Sequence, residues 1–327
     1  MRRFTMNSAV GLLLIITLCV AISGCGSPEE QLPGPSTIQD VLGGKDDAPE
    51  VDPDVTGSRD NTIQVLVPTA SGVSVYSCDV ATLDASNSSE GYVIVNYTGN
   101  NPKVKLQITG PNQVTYTYNL HGGQEVFPLT SESGTYTIAV YESVDIENNK
   151  YATAFSQDIN ADITNPFGPY LYPSQYVNFS ASSQVVIKAS ELAKPANNDL
   201  DVVTNVYNYV ITNYTYDYEK ASTVASGYLP DVDEIYELKT GICFDYAAIM
   251  ASMLRSQRIP TRLEIGYAGE EYHAWISVYT HETGWINGII EFDGTNWRLM
   301  DPTFAASSSS PMKFIAEDSD YLLKYVY

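Results

Sequence analysis

A change of hydrophobic period near residue 164 constrains this chain more than any other feature. Before it, over 61–163, short apolar runs alternate with polar residues: "TIQVLVPTA", "VSVYSCDVATL", "GYVIVNYTG", "KVKLQITG", "QVTYTYNL", "TYTIAVYES" and "KYATAFSQDI". Breakers such as "SNSSEG", "GNNP", "GPN", "HGG" and "SESG" separate them. A period of two sends successive side chains to opposite faces, the mark of half-buried strands. Six or seven such strands joined by turns predict an all-β unit. After 164 the apolar spacing becomes helical, so the chain of 327 residues reads as two regions, each able to bury a core.

The strand number and spacing predict a β-sandwich of immunoglobulin-like type over 61–163. Cys78 lies in one run, where a thiol is expected to be a buried structural side chain. His121 sits beside two glycines and reads as a solvated turn residue. No catalytic constellation is visible in this half. Residues 164–188 form a connector and a candidate strand, because the three prolines of "NPFGPYLYPS" exclude a long helix. Leu200, Val203, Val206, Tyr207, Val210 and Ile211 then fall on one helix face, with Asn198 or Asp199 as its cap. "CFDYAAIMASMLRSQ" predicts a second helix, with Gly241 supplying a tight turn before it and Ile259-Pro260 after its end.

The N-terminus reads as a targeting segment. Arg2 and Arg3 precede the apolar run "AVGLLLIITLCVAI", which is short for a membrane span. The following "ISGC" resembles the lipobox of bacterial lipoproteins, and that resemblance implies a signal peptide over 1–24, cleavage before Cys25 and acylation of its thiol. The expected location is extracytoplasmic, with the chain held to the bacterial cell membrane by lipid on Cys25. Residues 25–60 are rich in Pro, Gly, Asp and Glu, and read as a disordered acidic tether. The formal charge of −22 becomes −24 once Arg2 and Arg3 are removed, which excludes a nucleic-acid partner. With Cys19 in the signal and Cys25 acylated, only Cys78 and Cys243 remain, too few for a disulfide framework.

Cys243 is predicted to fall in the first turn of its helix, where orphan N–H groups and the positive dipole end favour a thiolate. Its backbone N–H is a candidate oxyanion donor. Thirty residues on, "EEYHAWISVYT" alternates like a strand and puts His273, Trp275 and Ser277 on one face. Twenty-eight residues after His273, "NWRLMDPT" places Asp301 at the end of another strand-like run. Asp293 reads as part of a hairpin turn and His281 as part of an exposed loop. A thiol at a helix start with His and Asp on adjacent strands supplies the parts of a Cys–His–Asp triad.

"GICFDYAAIMASMLRSQRIPTRLEIGY", "HAWISVY" and "WRLMDPT", in that order over roughly 200–305, resemble the bacterial transglutaminase-like domain, a relative of papain-like thiol enzymes. The resemblance implies an α+β catalytic domain over 164–327, with Cys243 as nucleophile, His273 as base and Asp301 as orienter. Trp275 matches the family's "HAW" as a packing residue. Phe244 stands where animal transglutaminases have tryptophan, so their oxyanion arrangement does not carry over, and Tyr228 in "SGYLPD" is a second candidate donor. An insertion, "HETGWINGIIEFDGTN", separates the His and Asp strands. The implied chemistry is attack on a peptide or amide bond through a thioacyl intermediate, with hydrolysis (protease or amidase) favoured over cross-linking. Protein or peptide substrates are expected, cell-wall peptide among them. No cofactor or metal is implied. The alternative is a non-catalytic binding or adhesive surface lipoprotein that kept the fold.

Overall fold

The structure is a computed structural model that describes residues 51–52, 54–268, 271–287, 290–292, 297–299 and 321–327. The signal segment and Cys25 lie outside the described residues, and no described helix is long and apolar enough to cross a membrane.

The alternating region forms two four-stranded antiparallel sheets. One has the order β1-β2-β3-β6, from β1 (Val75–Ser77), β2 (Ala81–Asp84), β3 (Tyr92–Tyr97) and β6 (Gly123–Pro128). The other has the order β5-β4-β7-β8, from β4 (Val104–Thr109), β5 (Thr115–Leu120), β7 (Gly134–Asp145) and β8 (Lys150–Ala161). The alternation works as predicted in β4, where Val104, Leu106 and Ile108 are buried and Lys105, Gln107 and Thr109 are half-exposed. Leu106 sits opposite both Tyr118 and Val140, so cross-strand pairs carry the core through this sheet. Leu83, Val93, Val95 and Phe127 of the first sheet belong to the same buried cluster.

Two expectations fail here. Cys78 is exposed, because it falls in the turn between β1 and β2, where its N–H donates to Ala81 O at 2.9 Å. The run 62–70 forms no strand, and the last residues of the expected tether are docked. The Gly57 and Arg59 N–H groups donate to Lys194 O and Ala196 O at 2.8 and 3.0 Å. The Arg59 guanidinium pairs with Asp199 at 2.7 Å and donates to Gln257 O at 2.5 Å, and Gln64 N–H reaches Ser256 O at 2.9 Å. These carbonyls are the orphan acceptors at two helix ends, and they take the donors that a ladder would have used. Gly57 is required by contact: a Cβ there would stand 2.0 Å from Ala196 O.

The remaining elements are α1 (Gln184–Ala193), α2 (Asp199–Asn213), β9 (Thr215–Tyr216), α3 (Tyr218–Thr223), α4 (Val232–Leu238), β10 (Thr240–Gly241) and α5 (Cys243–Ser256). They continue with β11 (Thr261–Ala268), β12 (Glu271–Thr280), β13 (Gly284–Ile286), β14 (Ile290–Phe292), β15 (Trp297–Leu299) and β16 (Tyr321–Val326). The predicted α2 cap is Asn198, whose side chain accepts from Asp201 N–H. Helix α1 replaces the candidate strand, with Val185, Val186, Ala189, Leu192 and Ala193 on its buried face. Helix α5 is buried from Asp245 to Ser256 and packs on α1, α2, α4, β11 and β12, so it is the central element of this half. The main sheet has the order β13-β12-β11-β16, and β14 pairs with β15 in a separate hairpin. That hairpin agrees with the turn read at "FDGTNW". Among the described residues the neighbours of β12 are β11 and β13, the latter folding back over "HETGWI" to pair with Val278–Thr280, the end of β12 away from His273.

The two halves meet across tyrosines. Tyr116 and Tyr118 of β5 pack edge-on against Tyr327 at 5.4 and 5.8 Å, and Tyr176 packs on Tyr327 at 4.6 Å. All the described residues belong to one compact unit, in which the paired sheets end with β8 at Ala161 and the first α-helix starts at Gln184.

Candidate active site

Cys243 is the first residue of α5, half-buried and a free thiol, as its spacing predicted. Gly241 does not have positive φ. Its glycine is needed for space, because a Cβ would stand 2.7 Å from the Cβ of Asp245. Asp245 occupies the third helical position and its Oδ2 accepts from Ile242 N–H at 2.9 Å, which closes the N-terminus of the helix.

Asp245 is wholly buried and is the hub of a polar cluster beside the thiol's turn. Lys220 Nζ pairs with its Oδ2 at 2.6 Å, and the Tyr228 hydroxyl donates to its Oδ1 at 2.6 Å. Lys220 Nζ also donates to the Tyr228 oxygen at 2.8 Å, with its charge 4.3 Å above the ring centroid. Burial, followed by the bond to Asp245, pushes the Tyr228 hydroxyl well above the ordinary tyrosine range. The one proton of the candidate oxyanion donor is thus directed at a carboxylate. Phe244 packs edge-on against Tyr176 at 5.3 Å and Tyr228 at 6.4 Å, so two aromatic walls flank the residue after the thiol.

His273 lies on β12 opposite Gly266 and is buried, with 5% exposure. Strand β11 starts where α5 ends, since Arg255 Nε and Nη2 both reach Thr261 O, at 3.0 and 2.8 Å. It then runs back along the helix. Helix α5 rises about 20 Å from Ser256 to Cys243, and β11 covers about 17 Å from Thr261 to Gly266. His273 thus sits on a strand that packs against α5. Asp301 and Asp293 lie outside the described residues, and β15 ends at Leu299. His281 is exposed in the turn after β12, as read from the sequence.

The face shared by His273, Trp275 and Ser277 carries a residue that the sequence reading missed. His273 and Trp275 stack at 6.4 Å with 22° between their planes. Trp275 Nε1 and Ser277 Oγ both donate to Glu264 Oε2 at 2.7 Å. Glu264 is 4% exposed, and burial raises its carboxyl above the usual glutamate range. The Arg262 guanidinium, 3.6 Å over the Trp285 ring, opposes that shift. The pairing of Glu264 with Trp275 across β11 and β12 is invisible without the register. Among the described residues no three His, Cys, Asp or Glu side chains gather to hold a metal ion.

The family model described as the transglutaminase-like superfamily matches residues 188–288, a span that contains Cys243 and His273 and ends before Asp301. The chain is 29% identical over 139 residues to uncharacterized protein YebA of Bacillus subtilis, covering 36% of this chain and 19% of that protein. It is 28% identical over 108 residues to a protein-glutamine gamma-glutamyltransferase of Pseudomonas aeruginosa, covering 28% of this chain and 14% of that protein. The matches thus span under a fifth of the length of these relatives. Among solved structures, the periplasmic domain of TgpA from P. aeruginosa, bound to ethylmercury, aligns at 16% identity with a TM-score of 0.34, over 80% of this chain and 85% of that one. A buried helix that opens on a half-buried cysteine, packed against the strand of a buried histidine, thus lies inside residues 188–288, the span that matches the transglutaminase-like superfamily.

Proposed function

We propose that the chain is a thiol enzyme that cleaves amide bonds of peptides or proteins by way of a thioester on Cys243. One observation supports this above the rest: Cys243 opens buried helix α5, which packs on the strand that carries buried His273, inside the span matched by the family model. In this reading Cys243 Sγ attacks the carbonyl carbon and its proton passes to His273. The C–N bond then breaks and the amine leaves with that proton. Water next attacks the thioester, His273 takes a proton from it, and the acid departs as the thiol is restored. Asp301 orients the imidazole, and the backbone N–H of Cys243 receives the developing oxyanion. Hydrolysis is favoured because water is always present, whereas transfer to an amine needs a second bound substrate. Transamidation is the second reading, supported by the similarity to the Pseudomonas glutamyltransferase. The proposal places the chain outside the cytoplasm on a lipid anchor at Cys25, with the paired sheets as an immunoglobulin-like support domain; protein or cell-wall peptide is the substrate class.

The test is mass spectrometry of products from casein or wall peptides, with and without an amine donor, for wild type and Cys243→Ala. Mass changes that vanish in the variant are expected, with oxygen from water incorporated. Incorporation of the amine instead would select transamidation. No change with either acceptor would leave a non-catalytic surface module as the better account.

A further inference from the structure

A cavity of about 250 Å³ lies between the sheet of β4 and β5 and the loop 224–231, and two parts of its wall lead to the Cys243 turn. Tyr176 lines it and packs on Phe244, the residue after the thiol. Gly227 and Leu229 also line it, flanking the Tyr228 that bonds to Asp245. The loop is fitted tightly to the sheet: Gly227 has φ +90, and a Cβ there would stand 2.1 Å from Asn119 Nδ2. The cavity's other polar walls are Lys105, Thr117, His121 and Ser226.

The chain holds 39 acidic against 17 Lys and Arg residues, yet no carboxylate lines this cavity, and its ionisable walls besides Tyr176 are Lys105 and His121. Among the described residues no carboxylate pairs with Lys105, whose Nζ rests 5.0 Å from the Tyr151 ring centroid. Glu125 binds the other side of His121, accepting its backbone N–H at 2.8 Å, and takes Gln175 Nε2 at 2.6 Å.

We infer that this cavity is a substrate subsite, built jointly by the all-β half and the loop 224–231, that takes a carboxylate side chain of the peptide whose amide reacts at Cys243. The inference rests on the thiol-enzyme reading for its substrate, but its binding test does not. Lys105 supplies the charge, Asn119 and Ser226 supply hydrogen bonds, and Gly227 sets the width. The sheets thereby gain a role in choosing acyl donors.

The test uses fluorescein-labelled short peptides that share a central glutamine and carry Glu, Gln or Lys scanned along the flanking positions. Anisotropy measures their binding to full-length Cys243→Ala. At its best position Glu should bind about fivefold tighter than Gln, the size expected of a half-exposed ion pair, and Lys should bind weakest. Lys105→Gln should erase the Glu preference, and Ser226→Asp should reverse it by placing a carboxylate in the cavity. Equal binding of Glu and Lys peptides, a preference that survives either substitution, or no binding would overturn the inference. A Glu preference without turnover by the wild type would sink the enzyme reading and leave the subsite standing.

Discussion

Replacing Asp245 by Asn is the sharpest probe of how the thiol's turn is held. The change conserves shape and retains one acceptor, but it removes the charge from a wholly buried hub. The Tyr228 and Ile242 bonds, at 2.6 and 2.9 Å, go to different oxygens, so Asn keeps one without its charge assistance and loses the other, at about 1 kcal/mol each. Lys220 loses its partner at 2.6 Å, but its side chain is 27% exposed and can turn to water, so its share is held to about 1 kcal/mol. The expected loss is about 3 kcal/mol, read as a lower urea midpoint at unchanged slope. Tyr228→Phe should cost about 1–2 kcal/mol alone, and the double variant should fall short of additivity by about 1 kcal/mol, because the two changes remove one shared bond. The loop 224–231 should also become more protease-sensitive in both variants. A loss below about 1 kcal/mol, or strict additivity, would refute the description of this cluster as the clamp on the helix start.

Three further outcomes are expected. Because burial raises the Glu264 carboxyl, its contribution to stability is complete below the ordinary glutamate range and is lost as pH rises through its folded value. Glu264→Gln should therefore compare with wild type more favourably at pH 8 than at pH 4, and urea titrations that show the reverse trend would contradict this. Arg255→Met should cost about 3 kcal/mol or more, since the 1%-exposed guanidinium ties Tyr172 O, Thr261 O and Tyr327 O together; thermal unfolding would read it. Limiting iodoacetamide at neutral pH should label both thiols, because Cys78 is exposed, but only Cys243 labelling should slow in His273→Ala; site-resolved mass spectrometry that shows no change at Cys243 would disprove the coupling.

The parts legible in the sequence were those set by local chemistry. Asn198 and the 3.6 spacing after it fixed α2, and Gly241 with the apolar run after Cys243 fixed the start of α5. Features that depended on distant partners were not legible. "QVVIK" looks extended because it is β-branched, yet it opens α1, which tertiary packing of Val185 and Val186 decides. Ile63, Val65 and Val67 alternate like a strand, but between them the Gln64 N–H bonds to Ser256 O at the end of α5. Glu264 reads as a wet-face residue under a period of two, and it is buried because this sheet is covered on both faces. Asp245 could have been found, since an acidic residue three positions after a helix cap is a capping signal.

The docking of 57–64 also has a mechanical side. Gly57, Arg59 and Gln64 grip the carbonyls at the trailing ends of α1 and α5, and Asn61 Nδ2 grips Ser190 O at 3.0 Å. A pull on the chain before Gly57 thus meets the end of α1 first and then, through Arg59, the end of α5 opposite Cys243, about 20 Å away along the helix. The Arg59 grip would bear that tension and yield first, while the turn that carries the thiol stays unloaded. Such a chain can be tugged by whatever holds its N-terminus without distorting the geometry at Cys243.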